Sequence, residues 1–88
     1  MTFIVTARGQ AFDAVRLDAR TGSPITAILH NEDGGVAHNL TFSVPGLAHG
    51  PTCKGTCAAT QSFTAPEPGT YYFLCTLHDM SGDFVVDP

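Results

Sequence analysis

Several short stretches of this chain alternate apolar and polar residues at period two, and nowhere do apolar residues hold a 3.6-residue period for three turns. That parity limits the chain more than any other feature, because a period of two lines one face of a strand, whereas a helix needs i, i+3, i+4 spacing. Phe3, Val5 and Ala7 alternate with Thr2, Ile4 and Thr6 in a first strand. Ala11–Asp13 reads as a bend. Val15, Leu17 and Ala19 then alternate with Arg16, Asp18 and Arg20, as in a half-buried strand with a polar outer face. Ile25–His30 is a third strand, rich in β-branched and aliphatic side chains, closed by the polar loop Asn31–Gly35.

Val36–Val44 reads as one strand, with His38, Leu40 and Phe42 on one face and Asn39, Thr41 and Ser43 on the other. Leu40 and Phe42 mark the core face, so His38 points inward. A long loop over residues 45–59, a gap-filling strand at Thr60–Thr64 and a corner at Pro66–Gly69 follow. Thr70–Cys75 and Asp83–Asp87 are the last two strands, with Tyr71, Phe73 and Cys75 on one face. About seven short strands with frequent turn signals point to an all-β Greek-key sandwich or barrel. A chain of 88 residues fits one small domain, spanning 1–88.

Charge narrows the function. Net charge is −4, with Arg8, Arg16, Arg20 and Lys54 the only fixed cations, so no basic patch exists for nucleic acid or an anionic membrane. No apolar run approaches the roughly 20 residues of a membrane helix. Thr2–Ala7 leads straight into strand-like sequence, with no secretory signal.

Chemistry gathers in Tyr71–Gly82, YYFLCTLHDMSG, where Cys75, His78 and Met80 lie on a short loop between two strands. A thiolate, an imidazole and a thioether form the donor set that soft copper prefers. Inward-facing His38 is the candidate for the third strong donor, if strands 37 positions apart end at the same pole. Two imidazole nitrogens and one thiolate make a trigonal site, with Met80 either a weak axial donor or a packing methionine. With each strong position filled by protein, such a site moves electrons and makes no bonds. For Cys75 the competing reading is a buried small hydrophobe, and for His38 a satisfied core histidine.

The segments HNLTF, FTAPEPGTYYFLCTLH and MSGDFVV resemble the small blue-copper proteins, the cupredoxins of the plastocyanin, amicyanin and halocyanin kind. The resemblance runs from the Phe12 segment to Val86. It implies one copper ion held by His38, Cys75 and His78 with Met80 axial, and Asn39 bridging the two ligand-bearing loops. It also implies that the edge of His78 passes the electron to a redox partner. The family usually sets at least two residues between the second histidine and the methionine; here only Asp79 stands there.

The expectation is therefore a monomeric electron carrier, not an enzyme, docking redox proteins through an apolar rim of Leu47, Pro51 and Met80 around His78. Its expected location is periplasmic or extracellular, with or without a membrane anchor in a longer precursor. The alternatives are a periplasmic Cu(I) carrier or storage domain, an excised domain of a larger copper redox enzyme, and a metal-free or zinc-bound interaction module. Cys53 and Cys57 leave three options open: a disulfide, free thiols, or a second metal site with His49 through H-x3-C-x3-C. His30 is expected to cap or face solvent. Asp33, Asp79 and Asp83 stand in no catalytic spacing to a histidine or serine.

Overall fold

A computed structural model describes residues 1–88. The strands are β1 (Thr2–Arg8), β2 (Ala11–Phe12), β3 (Arg16–Arg20), β4 (Pro24–Asn31), β5 (Ala37–His38), β6 (Thr41–Phe42), β7 (Cys53–Lys54), β8 (Cys57–Thr64), β9 (Gly69–Cys75) and β10 (Met80–Asp87). One sheet runs β2-β1-β4-β8, the other β3-β10-β9-β6, and β5 and β7 form a separate ribbon. β1 pairs parallel to β4, and β3 parallel to β10, while the remaining pairs are antiparallel. The molecule is an all-β Greek-key sandwich.

Alternation fixes which face of each strand is buried. Val5 and Ala7 of β1, Ile25, Ala27 and Leu29 of β4, and Phe84 and Val86 of β10 all point between the sheets. Phe42 lies at the centre, its ring centroid 4.9 Å from Phe63 and 5.1 Å from Phe84, the latter edge-on as aromatic quadrupoles favour. Full burial of one such side chain contributes about 1.5–3 kcal/mol. Tyr71 packs against Phe84 and donates its hydroxyl to the Glu67 carbonyl at 2.7 Å, pinning the Pro66–Gly69 corner.

Five details differ from the sequence expectation. Ala11–Phe12 is a strand, because it folds back on β1 with Phe12 opposite Ala7. Val15 is 81% exposed, since β3 begins only at Arg16, where its register with Asp83 starts. The loop expected over 45–59 is partly strand: β7 lies within it and β8 begins at Cys57. The last strand likewise begins at Met80 and not at Asp83.

The remaining difference shapes the site. Val36–Val44 is two strands, because His38 pairs with Cys53 in the ribbon while Thr41 and Phe42 pair with Leu74 and Phe73 in the sheet. The chain changes partner at Asn39–Leu40, and simple alternation fails there. Asn39 and Thr41 are buried along with His38, Leu40 and Phe42, each held by side-chain hydrogen bonds.

Candidate metal centre

Cys75 ends β9 and Met80 begins β10, and the two are direct cross-strand partners. Opposite residues of an antiparallel pair project to the same face. Both side chains are buried, so Met80 shares the face of Cys75. The four residues Thr76–Asp79 turn the chain between them, and the Met80 N–H closes the turn on the His78 carbonyl at 2.9 Å. The short His78–Met80 spacing is thus absorbed by a ladder that runs to the very end of the hairpin.

His38 is fully buried at the end of β5. Its Nδ1 stands 3.7 Å from Cys75 Sγ. Metal–imidazole and metal–thiolate bonds of about 2.1 and 2.3 Å, opened to a trigonal angle, set the two donors about 3.8 Å apart. The pair therefore stands at the separation two donors take on a shared metal ion. The His78 ring lies 5.0 Å from that of His38, centroid to centroid, at 71° to it, and is half-buried. As the side chains stand, no three His, Cys, Asp or Glu groups converge on one metal-sized point. His38 and Cys75 lie close together, and the half-buried His78 ring stands beside His38. The donor set, two imidazoles, a thiol and a neighbouring thioether, fits copper in both oxidation states.

Local electrostatics ease ionisation of the Cys75 thiol. Burial opposes it, but the backbone N–H groups of Asn39, Leu77 and His78 and the His38 ring together hold the Cys75 thiol below its ordinary range. Burial likewise opposes a charged His38, yet Asp33 and Cys75 raise its pKa. Asn39 joins the two loops: its Nδ2 donates to Thr76 Oγ1 at 2.7 Å and its Oδ1 accepts the Thr76 N–H at 3.0 Å.

Asp33 is the site residue that sequence reasoning missed. Its Oδ2 lies 2.7 Å from His38 Nε2, a contact that no catalytic spacing in the sequence disclosed. A turn brings it there. The Val36 N–H donates to the Asp33 carbonyl at 3.0 Å, and Gly35 takes φ +76°, the left-handed value a type II turn needs at its third residue. The signal was an aspartate five residues before the histidine with Gly34–Gly35 between them.

Cys53 and Cys57 are joined as a disulfide, which removes the free-thiol and second-metal options; His49 and His30 are both exposed. Met80 is 5% exposed and so does not belong to an exposed docking rim.

No protein-family model matches the sequence, and none of the curated proteins does. Solved structures do match. A reduced amicyanin mutant shares 30% identity, covering 98% of this chain and 82% of that one, with a TM-score of 0.70. This chain is a cupredoxin, a small blue-copper protein. The auracyanin of the photosynthetic bacterium Roseiflexus castenholzii, in its dithionite-reduced form, superposes on this cupredoxin with a TM-score of 0.86 at 25% identity, covering 99% of this chain and 97% of that one. Auracyanin A, a "blue" copper protein of the green thermophilic photosynthetic bacterium Chloroflexus aurantiacus, gives 0.84 at 24% identity, over 99% and 98% of the two chains, a likeness of fold. The cofactor of this cupredoxin is one copper ion, and its role is blue-copper electron transfer.

Proposed function

We propose that His38 Nδ1, Cys75 Sγ and His78 would hold the copper ion as its strong donors, with the Met80 thioether as a weaker one. In this reading the cupredoxin is a single domain over residues 1–88 that works as a monomer, shuttling single electrons between larger redox proteins. The observation that carries it is the 3.7 Å separation of His38 Nδ1 and Cys75 Sγ. Bound copper supplies the one-electron chemistry, alternating between Cu(II) and Cu(I).

The residues supply the rest. Buried His38, Cys75 and Met80 exclude water. The Asn39–Thr76 bonds keep the two loops from moving apart, so little has to rearrange when the charge changes. All strong positions come from protein, so no place remains for a substrate, and the chain acts as a carrier and not as an enzyme. His78 is the exit, being the more exposed imidazole, and Leu77 beside it is 50% exposed. Redox partners dock on this rim, which also includes exposed Pro51, through a small and short-lived interface. The Cys53–Cys57 disulfide suits an oxidising compartment and supports a periplasmic or extracellular location.

A Cu(I) carrier is the competing reading, and kinetics separate the two. Electron self-exchange in the copper-loaded protein is expected to be fast, with the metal withstanding a competing Cu(I) chelator. Slow self-exchange together with prompt loss of copper to the chelator would contradict the electron-transfer reading.

A further inference from the structure

We infer that Asp33 is a positioning residue for the copper centre: by accepting the Nε2–H of His38 it fixes which nitrogen faces the metal, strengthens His38 as a donor to Cu(II), and thereby lowers the reduction potential. The inference rests on His38 being a ligand, as proposed above.

The Asp33 carboxylate is held from several sides. Oδ1 accepts the Gly9 N–H at 2.6 Å, and Oδ2 accepts the Gln10 N–H at 2.9 Å as well as facing His38 Nε2 at 2.7 Å. The Asp33 N–H donates to Asn31 Oδ1 at 2.9 Å. Asn31 is itself buried and spends its Nδ2 on the carbonyls of Val36 and Cys53, on either side of the His38 ribbon. The β1–β2 turn is bent to meet the carboxylate. Gly9 and Gln10 take φ of +60° and +55°, and Gln10 is the one residue other than glycine with positive φ. These contacts leave the carboxylate a single orientation, and the imidazole a single tautomer with its proton on Nε2.

Two effects then act in the same direction. A carboxylate on the far nitrogen makes the near nitrogen more basic, and removing such a partner from a metal-bound histidine typically costs 10–100-fold in metal affinity. The negative charge also favours the more positive metal state, and the Asp33 side chain is only 12% exposed, so water screens it weakly. Both effects favour Cu(II) over Cu(I). A purely structural staple between the β1–β2 turn and the ribbon would instead alter stability and leave the potential unchanged.

The test compares the reduction potentials of wild type, Asp33→Asn and Asp33→Glu, with folding followed by circular dichroism. Asp33→Asn keeps an oxygen to accept the Nε2–H but removes the charge. Its potential is expected to rise, by about 59 mV for each tenfold loss of Cu(II) affinity relative to Cu(I), and Asp33→Glu is expected to return it toward wild type. A folded Asp33→Asn protein with the wild-type blue band and unchanged potential would overturn the inference. Should Asp33→Asn not fold, nitrogen-15 NMR of the wild-type metal-free protein decides: a slowly exchanging Nε2–H on His38 supports the inference, and a mobile proton or the Nδ1–H tautomer overturns it. Failure of the wild-type protein to give a blue copper band would count against the ligand assignment, and the NMR measurement would still test the Asp33–His38 bond.

Discussion

Asn39 and Thr76, 37 positions apart in the chain, grip each other through two hydrogen bonds, side chain to side chain and side chain to backbone. Asn39 Oδ1 also accepts the buried Thr41 hydroxyl at 3.0 Å. One side chain thus ties the strand end carrying His38 to the turn that follows Cys75. Removing it leaves a buried hydroxyl short of an acceptor, which costs about 1–3 kcal/mol. Asn39→Ala is expected to unfold at correspondingly lower urea concentration and to broaden the copper absorption as the loops loosen. An unchanged unfolding midpoint would refute the bridging role.

Met80 faces Cys75 across the ladder, which sets up a test of its axial role. Met80→Leu nearly conserves volume, so its stability cost should stay below about 1.5 kcal/mol. If the thioether is axial, the variant loses a donor, which disfavours Cu(II); the potential rises and the absorption bands shift. A packing methionine would leave both unchanged.

Gly82 stands opposite Phe73, and a Cβ there would run into the Phe73 ring and crowd the Val15 carbonyl. Phe73 is a buried strand residue and the Val15 carbonyl already accepts the Asp83 N–H at 2.9 Å, so neither gives way easily. Gly82→Ala should cost about 1–3 kcal/mol by overpacking. In a domain of this size that lowers the melting temperature by about 4–8 °C per kcal/mol, readable by calorimetry.

The Cys53–Cys57 bridge closes a loop with a sequence separation of only 4. In the chain-entropy treatment so short a loop is worth about 2 kcal/mol. The double Cys53→Ser, Cys57→Ser variant should lose no more than that and still bind copper, because neither sulfur belongs to the proposed ligand set. Mass spectrometry of the unreduced protein should show the loss of two hydrogens.

Fold class was legible because burial in a sandwich follows side-chain alternation, which Val5/Ala7 and Ile25/Ala27/Leu29 display openly. His38 is buried as expected, although in the β5–β7 ribbon and not on one strand with Leu40 and Phe42, and Cys75 and His78 carried their own spacing. What alternation could not reveal were the places where the chain changes partner. Asn39 and Thr41 are polar and buried because the strand breaks there, and hydrogen bonding, to which hydrophobic period is blind, makes that burial tolerable. Asp33 escaped notice for a related reason. Its contact with His38 depends on a glycine turn and on the N–H groups of a distant hairpin, so only the folded chain displays it.

Adding one equivalent of Cu(II) to the metal-free protein, and in parallel to Cys75→Ala, tests the central claim most directly. The assignment predicts an intense thiolate-to-copper band toward the red end of the visible spectrum, with the narrow copper hyperfine splitting of a type 1 centre in electron paramagnetic resonance, and loss of both in Cys75→Ala. Absence of the band in the wild-type protein, or its survival in Cys75→Ala, would contradict it.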